Sequence, residues 1–191
     1  MYAQFSPIVS NFIRAPNHEI EFRIGRSARN GFDTNVGVDT YNKVMASLGQ
    51  YQGWEKVVHS NETIYYGTHG RRAVYNNSTD DIVRCIKQRV TVSDFKMEPF
   101  DVRLGISTEI PYEPTEDEEE FEKTRNRVRV SFVRKNLSID VSMISGSPDD
   151  LDAEQLTVYQ IEMEIIKPED VKNDNELYNI MYKINDVMKI I

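Results

Sequence analysis

The sequence has 191 residues, of which 39% are hydrophobic and 28% are charged. This length and composition suit one soluble globular domain, residues 1–191, and leave too little chain for two ordinary domains. The net charge of −8 argues against a protein whose whole surface binds nucleic acid, although a small basic site inside an acidic shell is compatible with it.

Three further features restrict the class of protein. No apolar run approaches the roughly 20 residues that a membrane-spanning helix needs. The first residues lack the basic region and the long apolar core of a signal peptide. The single cysteine, Cys85, excludes an internal disulfide framework and a cysteine-based zinc site. We therefore expect an intracellular, reducing compartment.

The first predicted strand is the stretch HEIEFRIG, residues 18–25, which alternates charged and apolar side chains. Glu19, Glu21 and Arg23 occupy one face, and isoleucine or phenylalanine lies between them. Such alternation predicts a β-strand with one polar and one apolar face.

A helical pattern follows at residues 39–49, where apolar residues recur at helical spacing. Asp39 or Thr40 is the expected N-cap, and Gly49 is the expected stop.

Most of the remaining chain alternates with a period of two. Turn-rich separators between successive segments favour antiparallel pairing of the strands. The acidic run at residues 113–122 is expected to be a solvated loop. The predicted strands cover residues 18–25, 62–67, 70–76, 82–92, 101–110, 125–134, 136–144 and 157–166.

The chain ends in a second, longer helical pattern at residues 173–191, which presents one apolar stripe. Asn173 or Asp174 is its expected N-cap.

Two arrangements of these strands fit the pattern. In an ordinary sheet the apolar faces form the core and the charged faces meet water. In the alternative, the strands close into a barrel whose lumen is charged, and the helices cover the outward apolar faces.

The polar faces repeat charges of one sign, with Glu-x-Glu twice and Arg-x-Arg once, so neighbouring side chains repel. A divalent cation would neutralise the carboxylates, and a polyphosphate would neutralise the cations. The basic residues of these faces are Arg23, Arg72, Lys87, Arg89, Arg103, Arg127 and Arg129, and the acidic residues are Glu19, Glu21, Glu109, Asp140, Glu162 and Glu164.

Four stretches in this order resemble motifs of the triphosphate-tunnel metalloenzymes: EIEFRIG (19–25), RVRVSF (127–132), IDVS (139–142) and YQIEMEI (159–165). Within that group they are most similar to the metal-dependent RNA 5′-triphosphatases of fungal, protozoal and DNA-virus capping systems, and the small size resembles the stand-alone enzymes of large DNA viruses. Three positions depart from the usual motifs: Gln160 replaces an acidic residue, Arg127 replaces a frequent lysine, and Arg23 stands where relatives that cleave thiamine triphosphate or short polyphosphates carry lysine.

The resemblance implies a mainly β (α+β) fold, a closed antiparallel eight-stranded barrel with a charged lumen and a few flanking helices, including one at the C-terminus. It implies hydrolysis of the γ-phosphate of 5′-triphosphate RNA, the first step of mRNA capping. Glu19, Glu21 and Glu164 would hold Mg²⁺ or Mn²⁺, and Glu162 would orient or deprotonate the attacking water.

Basic residues would grip the phosphates: Arg127, Arg129 and Lys87 in catalytic roles, with Arg72, Arg89 and Arg103 as further substrate ligands. The choices between Lys87 and Arg89, and between Arg71 and Arg72, stay open. Arg23, Glu109, Asp140, Ser142 and Gln160 would form a supporting network.

The expected substrates are 5′-triphosphate RNA and, with manganese, nucleoside triphosphates. The alternatives are a tunnel enzyme acting on tripolyphosphate or thiamine triphosphate, and a non-catalytic barrel that binds a polyanion.

Tyr65, Tyr66 and Tyr75 could stack on RNA bases, although strand tyrosines are more often structural. A separate RNA guanylyltransferase is an implied partner, no membrane is expected, monomer and homodimer are both open, and a viral protein would act in the host cytoplasm or nucleus.

Overall fold

The computed structural model describes residues 2–13, 17–29, 31–114, 121–146 and 157–191. Within them the helices are α1 (Tyr2–Phe12), α2 (Val38–Gln50) and α3 (Asp174–Ile190), with short 3₁₀ turns at Thr68–Gly70 and Pro168–Asp170. The strands are β1 (His18–Ala28), β2 (Gly31–Asp33), β3 (Lys56–Gly67), β4 (Arg71–Asn76), β5 (Ile82–Phe95), β6 (Asp101–Pro111), β7 (Phe121–Arg134), β8 (Leu137–Ser145) and β9 (Val158–Ile165).

Eight strands close into an antiparallel barrel. The order around it is β1-β6-β5-β4-β3-β7-β8-β9, and β9 pairs back onto β1, as in the pairing of Glu21 with Glu164. The short strand β2 pairs only with the end of β1. The predicted eight-stranded barrel is therefore confirmed, with one additional strand outside it.

The apolar faces of the barrel strands point outward and lie beneath the helices. Ile20, Phe22 and Ile24 of β1 are at most 1% exposed. The ring of Phe5 in α1 packs edge-on against Phe22, with 5.4 Å between the ring centroids. The barrel with a charged lumen is thus the arrangement that the chain adopts, and the ordinary sheet with solvated charges is wrong.

Helix α1 was not predicted from the sequence, although it is part of the core. Phe5, Val9 and Ile13 follow each other at intervals of four residues and are buried against the barrel. The interior residue Pro7 weakens the helical signal of this short segment. No helix among the described residues has the length and apolar character that crossing a membrane requires.

The two predicted helices are present, with different ends. Helix α2 begins after Gly37, which has a φ of 81° and no side-chain cap, so Asp39 lies inside the first turn rather than at the N-cap. The helix continues through Gly49 to Gln50, so the predicted stop is also wrong. In α3 the prediction of Asn173 is confirmed, since its side chain accepts a 3.0 Å hydrogen bond from the Glu176 backbone N–H.

Several strands extend beyond their predicted bounds, β3 and β5 among them. β3 begins at Lys56, six residues earlier than predicted, because it pairs with β7 as far as Val133. In β5 the register shifts between Arg89 and Thr91, which breaks the period-two pattern, yet the strand continues to Phe95. The acidic run predicted as a loop lies mostly outside the described residues, and its last two residues begin β7.

Phe22→Ala tests the outward-facing core. The substitution should lower the free energy of unfolding by about 3–5 kcal/mol, because it leaves a cavity under α1. Chemical denaturation measures this change. Glu21→Gln is the matched control on the opposite face of the same strand and should cost about 1 kcal/mol or less. Equal losses for the two variants would contradict the assignment of the faces.

Candidate active site

Side chains from all eight barrel strands converge on the lumen, where two cavities of about 260 and 450 Å³ adjoin. Both are lined by Glu21, Arg23, Tyr66, Arg72 and Lys87. The smaller cavity adds Arg71, Arg89, Arg103 and Ser107, and the larger adds Glu19, Glu122, Lys123, Arg125, Arg127, Arg129, Asp140, Gln160, Glu162 and Glu164.

Lys87 of β5 bridges two carboxylates. Its Nζ contacts Glu19 Oε2 and lies 3.2 Å from Glu109 Oε1. Ser107 Oγ donates a 2.8 Å hydrogen bond to the same oxygen of Glu19. Burial raises the pKa of Glu19, but Lys87 and Ser107 outweigh it and hold that pKa below its ordinary value. Glu109 therefore holds Lys87 together with Glu19.

Arg23 contacts one carboxylate on its own strand, β1, and one on β9. Its Nη2 lies 2.7 Å from Glu21 Oε1, and its Nε lies 2.7 Å from Glu162 Oε1, although the latter contact lacks the alignment of a hydrogen bond. The resemblance places Arg23 in a supporting network, and these contacts fit that role because they fix two of the acidic residues assigned to the chemistry.

A buried carboxylate holds two of the arginines of β7. Glu62 of β3 is 6% exposed, and its Oε2 accepts hydrogen bonds from Arg127 while its Oε1 accepts one of 3.1 Å from Arg129 Nη2. Arg129 Nη1 donates a second bond, of 3.2 Å, to Asp140 Oδ2. Burial raises the pKa of Glu62, but the two guanidinium groups outweigh it and lower the pKa.

Sequence reasoning missed Glu62, although a signal was present. Glu62 lies on the same face of β3 as Ile64 and Tyr66, and both of these residues line the larger lumen cavity. The repeated cations of β7 required a carboxylate partner on an adjacent strand, and Glu62 is the register partner of Arg127. The bounds predicted for β3 started at Glu62 itself, so its face was not assigned.

Two lumen carboxylates repel each other and their acidic neighbours. Glu21 and Glu164 are register partners on β1 and β9. Burial and the charge of Glu162 raise the pKa of Glu21 to about 7, and burial with the charges of Glu19 and Asp140 raises the pKa of Glu164 to about 8. A divalent cation between these carboxylates would remove the repulsion.

The donor set therefore fits a hard cation, since Glu19, Glu21 and Glu164 offer carboxylate oxygens only. As the side chains stand, no three possible ligands in the described part of the chain are close enough to share one ion. Glu19 and Glu21 are engaged by Lys87 and Arg23, so binding a metal requires these ion pairs to loosen.

The remaining predicted residues lie in or near the lumen. Arg72 lines both cavities and stacks on the ring of Tyr66, whereas Arg71 and the exposed Arg89 line the smaller cavity alone. Arg103 also lines the smaller cavity, where Asp94 accepts two hydrogen bonds from it.

Two polar residues of the predicted network differ in their contacts. Gln160 Nε2 donates a 2.6 Å hydrogen bond to Thr34 Oγ1, so this residue interacts with the segment before α2. Ser142 is fully buried, and neither its Oγ nor Arg129 Nε has a hydrogen-bond partner among the described residues. Ser142 and Arg129 are register partners, so two open donors lie next to each other.

A closed barrel with a charged lumen is the architecture of the triphosphate-tunnel proteins. Comparison of the sequence with protein-family models matches residues 68–190 to the family described as mRNA capping enzyme, beta chain. The match spans more than half of the chain, and the protein belongs to this family. None of the curated proteins compared with it matches.

Solved structures show the same fold. The S. pombe RNA triphosphatase Pct1 superposes with a TM-score of 0.79 at 16% sequence identity, over 98% of this chain and 91% of Pct1. The RNA triphosphatase domain of the trifunctional mimivirus mRNA capping enzyme superposes with a TM-score of 0.68 at 15% identity, over 99% of this chain and 96% of that domain. At these identities the likeness concerns the fold.

Glu62→Gln tests the arginine clamp, by which we mean Arg127 and Arg129 with the Glu62 and Asp140 carboxylates that hold them. At pH 7 the free energy of unfolding of the variant should be about 1–3 kcal/mol lower, because two half-buried guanidinium groups lose a charged acceptor. The pKa of Glu62 is lowered by folding, so its contribution is present above the unfolded pKa of about 4.3 and is lost as the pH falls further.

Denaturation of wild type and Glu62→Gln at several pH values measures the effect. The difference between them should therefore shrink at pH values below about 4. Glu169→Gln, at an exposed position, is the control and should change little. A difference that grows on acidification would contradict the clamp.

Proposed function

We propose that the protein is a metal-dependent RNA 5′-triphosphatase, which hydrolyses the γ-phosphate of 5′-triphosphate RNA and leaves a 5′-diphosphate end for capping. One observation carries the proposal: a set of carboxylates on β1 and β9 faces a clamp of arginines on β7 across one lumen. Carboxylates suit a divalent cation and arginines suit phosphate oxygens, which are the two needs of phosphoryl transfer. Family membership supports the same conclusion.

The basic side chains would bind the triphosphate. Arg127 and Arg129 already have fixed orientations, because Glu62 and Asp140 accept their hydrogen bonds. Fixed donors stabilise developing charge without reorganising during the reaction. Arg72 and Lys87, which lie on β4 and β5 on the other side of β3 from these arginines, would contact the remaining phosphate oxygens.

The acidic side chains would activate water and hold the metal. Glu162 would orient the water and accept its proton as the water oxygen attacks the γ-phosphorus, and the bond to the β-phosphate oxygen would break. Glu19, Glu21 and Glu164 would hold Mg²⁺ or Mn²⁺, with Arg23 and Lys87 released from their ion pairs. A bound divalent ion supplies Lewis-acid polarisation of a phosphoryl oxygen.

The proposal extends to nucleoside triphosphates with manganese, since the same groups recognise any terminal triphosphate. A separate guanylyltransferase would use the 5′-diphosphate product. A tunnel enzyme acting on tripolyphosphate or thiamine triphosphate is the alternative within the same chemistry, and a polyanion-binding barrel without catalysis is the alternative outside it.

Phosphate release from γ-labelled RNA tests the proposal. Wild type should release phosphate only with Mg²⁺ or Mn²⁺, and Glu19→Ala, Glu21→Ala and Glu164→Ala should each lose activity by at least about 100-fold, because each removes a proposed metal ligand. Glu169→Ala is a control for the loss of an exposed carboxylate. ATP, thiamine triphosphate and tripolyphosphate as competing substrates distinguish the alternatives. Robust release by all three variants would refute the metal assignment, and binding without release would favour the polyanion-binding barrel.

Arg129→Lys tests the clamp in catalysis. Lysine keeps the charge but cannot span Glu62 and Asp140 with a planar fork, so kcat should fall about 100- to 1,000-fold while the barrel stays folded. Steady-state kinetics and circular dichroism measure the two properties. The control is Arg134→Lys, which stacks on Tyr51 outside the lumen. A kcat within threefold of wild type would argue against Arg129 as a phosphate ligand.

A further inference from the structure

Tyr66 is the one aromatic side chain that lines either lumen cavity among the described residues. It belongs to both cavities, and every other large side chain that they share is charged. The lumen therefore presents a single flat, apolar surface to a ligand that is otherwise recognised by charge.

The position of Tyr66 relates it to the phosphate ligands. The guanidinium carbon of Arg72 lies 5.3 Å from the centre of its ring, and Lys123 is its register partner on β7. A phosphate bound by Arg72 would lie next to the ring, so a nucleotide attached to that phosphate would be within reach of it.

The smaller cavity indicates the direction of the attached chain. Six cationic residues line it, with Glu21 as its single carboxylate, whereas the larger cavity mixes both signs. A cavity lined by more cations than carboxylates suits a phosphodiester chain, while the mixed cavity suits the metal and the terminal phosphate.

We propose that Tyr66 determines substrate specificity by stacking on the first nucleotide of the RNA, whose chain leaves the barrel through the smaller, cationic cavity. Every nucleobase presents a π-face, so the contact selects a nucleotide over an inorganic polyphosphate without selecting a base. This inference rests on the proposed triphosphatase function and adds to it the residue that recognises the nucleotide.

The chain offers a matched control in the adjacent residue. Tyr65 lies on the opposite face of β3 from Tyr66. Its ring packs on Phe121, with 5.2 Å between the ring centroids, and it lines neither lumen cavity. Tyr65→Ala removes the same side chain from the same strand without changing the lumen. Tyr66→Phe keeps the stacking surface and removes only the hydroxyl.

The test compares substrates with and without a nucleotide. In the presence of Mn²⁺, Tyr66→Ala should raise KM for γ-labelled RNA and for ATP by roughly 5- to 150-fold, the range expected from one lost stacking contact. The KM for tripolyphosphate should stay within twofold of the wild-type value. Tyr66→Phe and Tyr65→Ala should stay within threefold of wild type on all three substrates.

A binding experiment makes the test independent of turnover. Titration calorimetry with a β,γ-imido nucleoside triphosphate and with tripolyphosphate should show weaker binding of Tyr66→Ala to the nucleotide alone. Equal losses for both ligands, or no loss for either, would overturn the role of Tyr66. A wild-type protein that binds the nucleotide through Tyr66 but releases no phosphate from any substrate would instead overturn the proposed function.

Discussion

The structure depends on the neutralisation of charges inside a closed barrel. Carboxylates from β1, β3, β8 and β9 share a lumen with cations from β1, β5 and β7, and the ion pairs between them connect strands that are distant in sequence. A charge that loses its partner in such a place is costly, because water solvates it poorly. The network therefore constrains the chain to one register, and it also fixes side chains in position before any ligand arrives.

The alternation of charged and apolar residues along the barrel strands supplies both the apolar core outside the barrel and the charged site inside it. Phe22 lies beneath α1 because Glu21 and Arg23 point inward, so a shift of one residue in β1 would exchange the two faces. The direct pairing of β1 with β9 closes the barrel and brings Glu21 opposite Glu164. At this closing seam burial and like charges raise the pKa values of both carboxylates, an arrangement typical of functional sites.

The period-two patterns predicted the strands and the residues that share a face, but they fitted an ordinary sheet as well as a barrel. The resemblance to the triphosphate-tunnel metalloenzymes supplied the closed barrel with a charged lumen. Glu19 and Glu162 were placed correctly in the lumen for that reason. Patterns do not report which strand lies across from which, so the bridging of Glu62 to Arg127 and Arg129 became visible only in the structure. Helix α1 was missed because Pro7 interrupts a short segment whose stability comes from packing against β1. The bulge after Arg89 similarly depends on pairing with β6 rather than on local propensity.

Hydrolysis in water enriched in ¹⁸O tests the central claim most directly, because it locates the bond that breaks. With 5′-triphosphate RNA and Mn²⁺ under single-turnover conditions, the account predicts one ¹⁸O atom in the released inorganic phosphate and none in the RNA, which keeps a 5′-diphosphate end. Release of pyrophosphate, or ¹⁸O on the RNA, would show attack at another phosphorus and would contradict the assignment of the lumen to γ-phosphate hydrolysis.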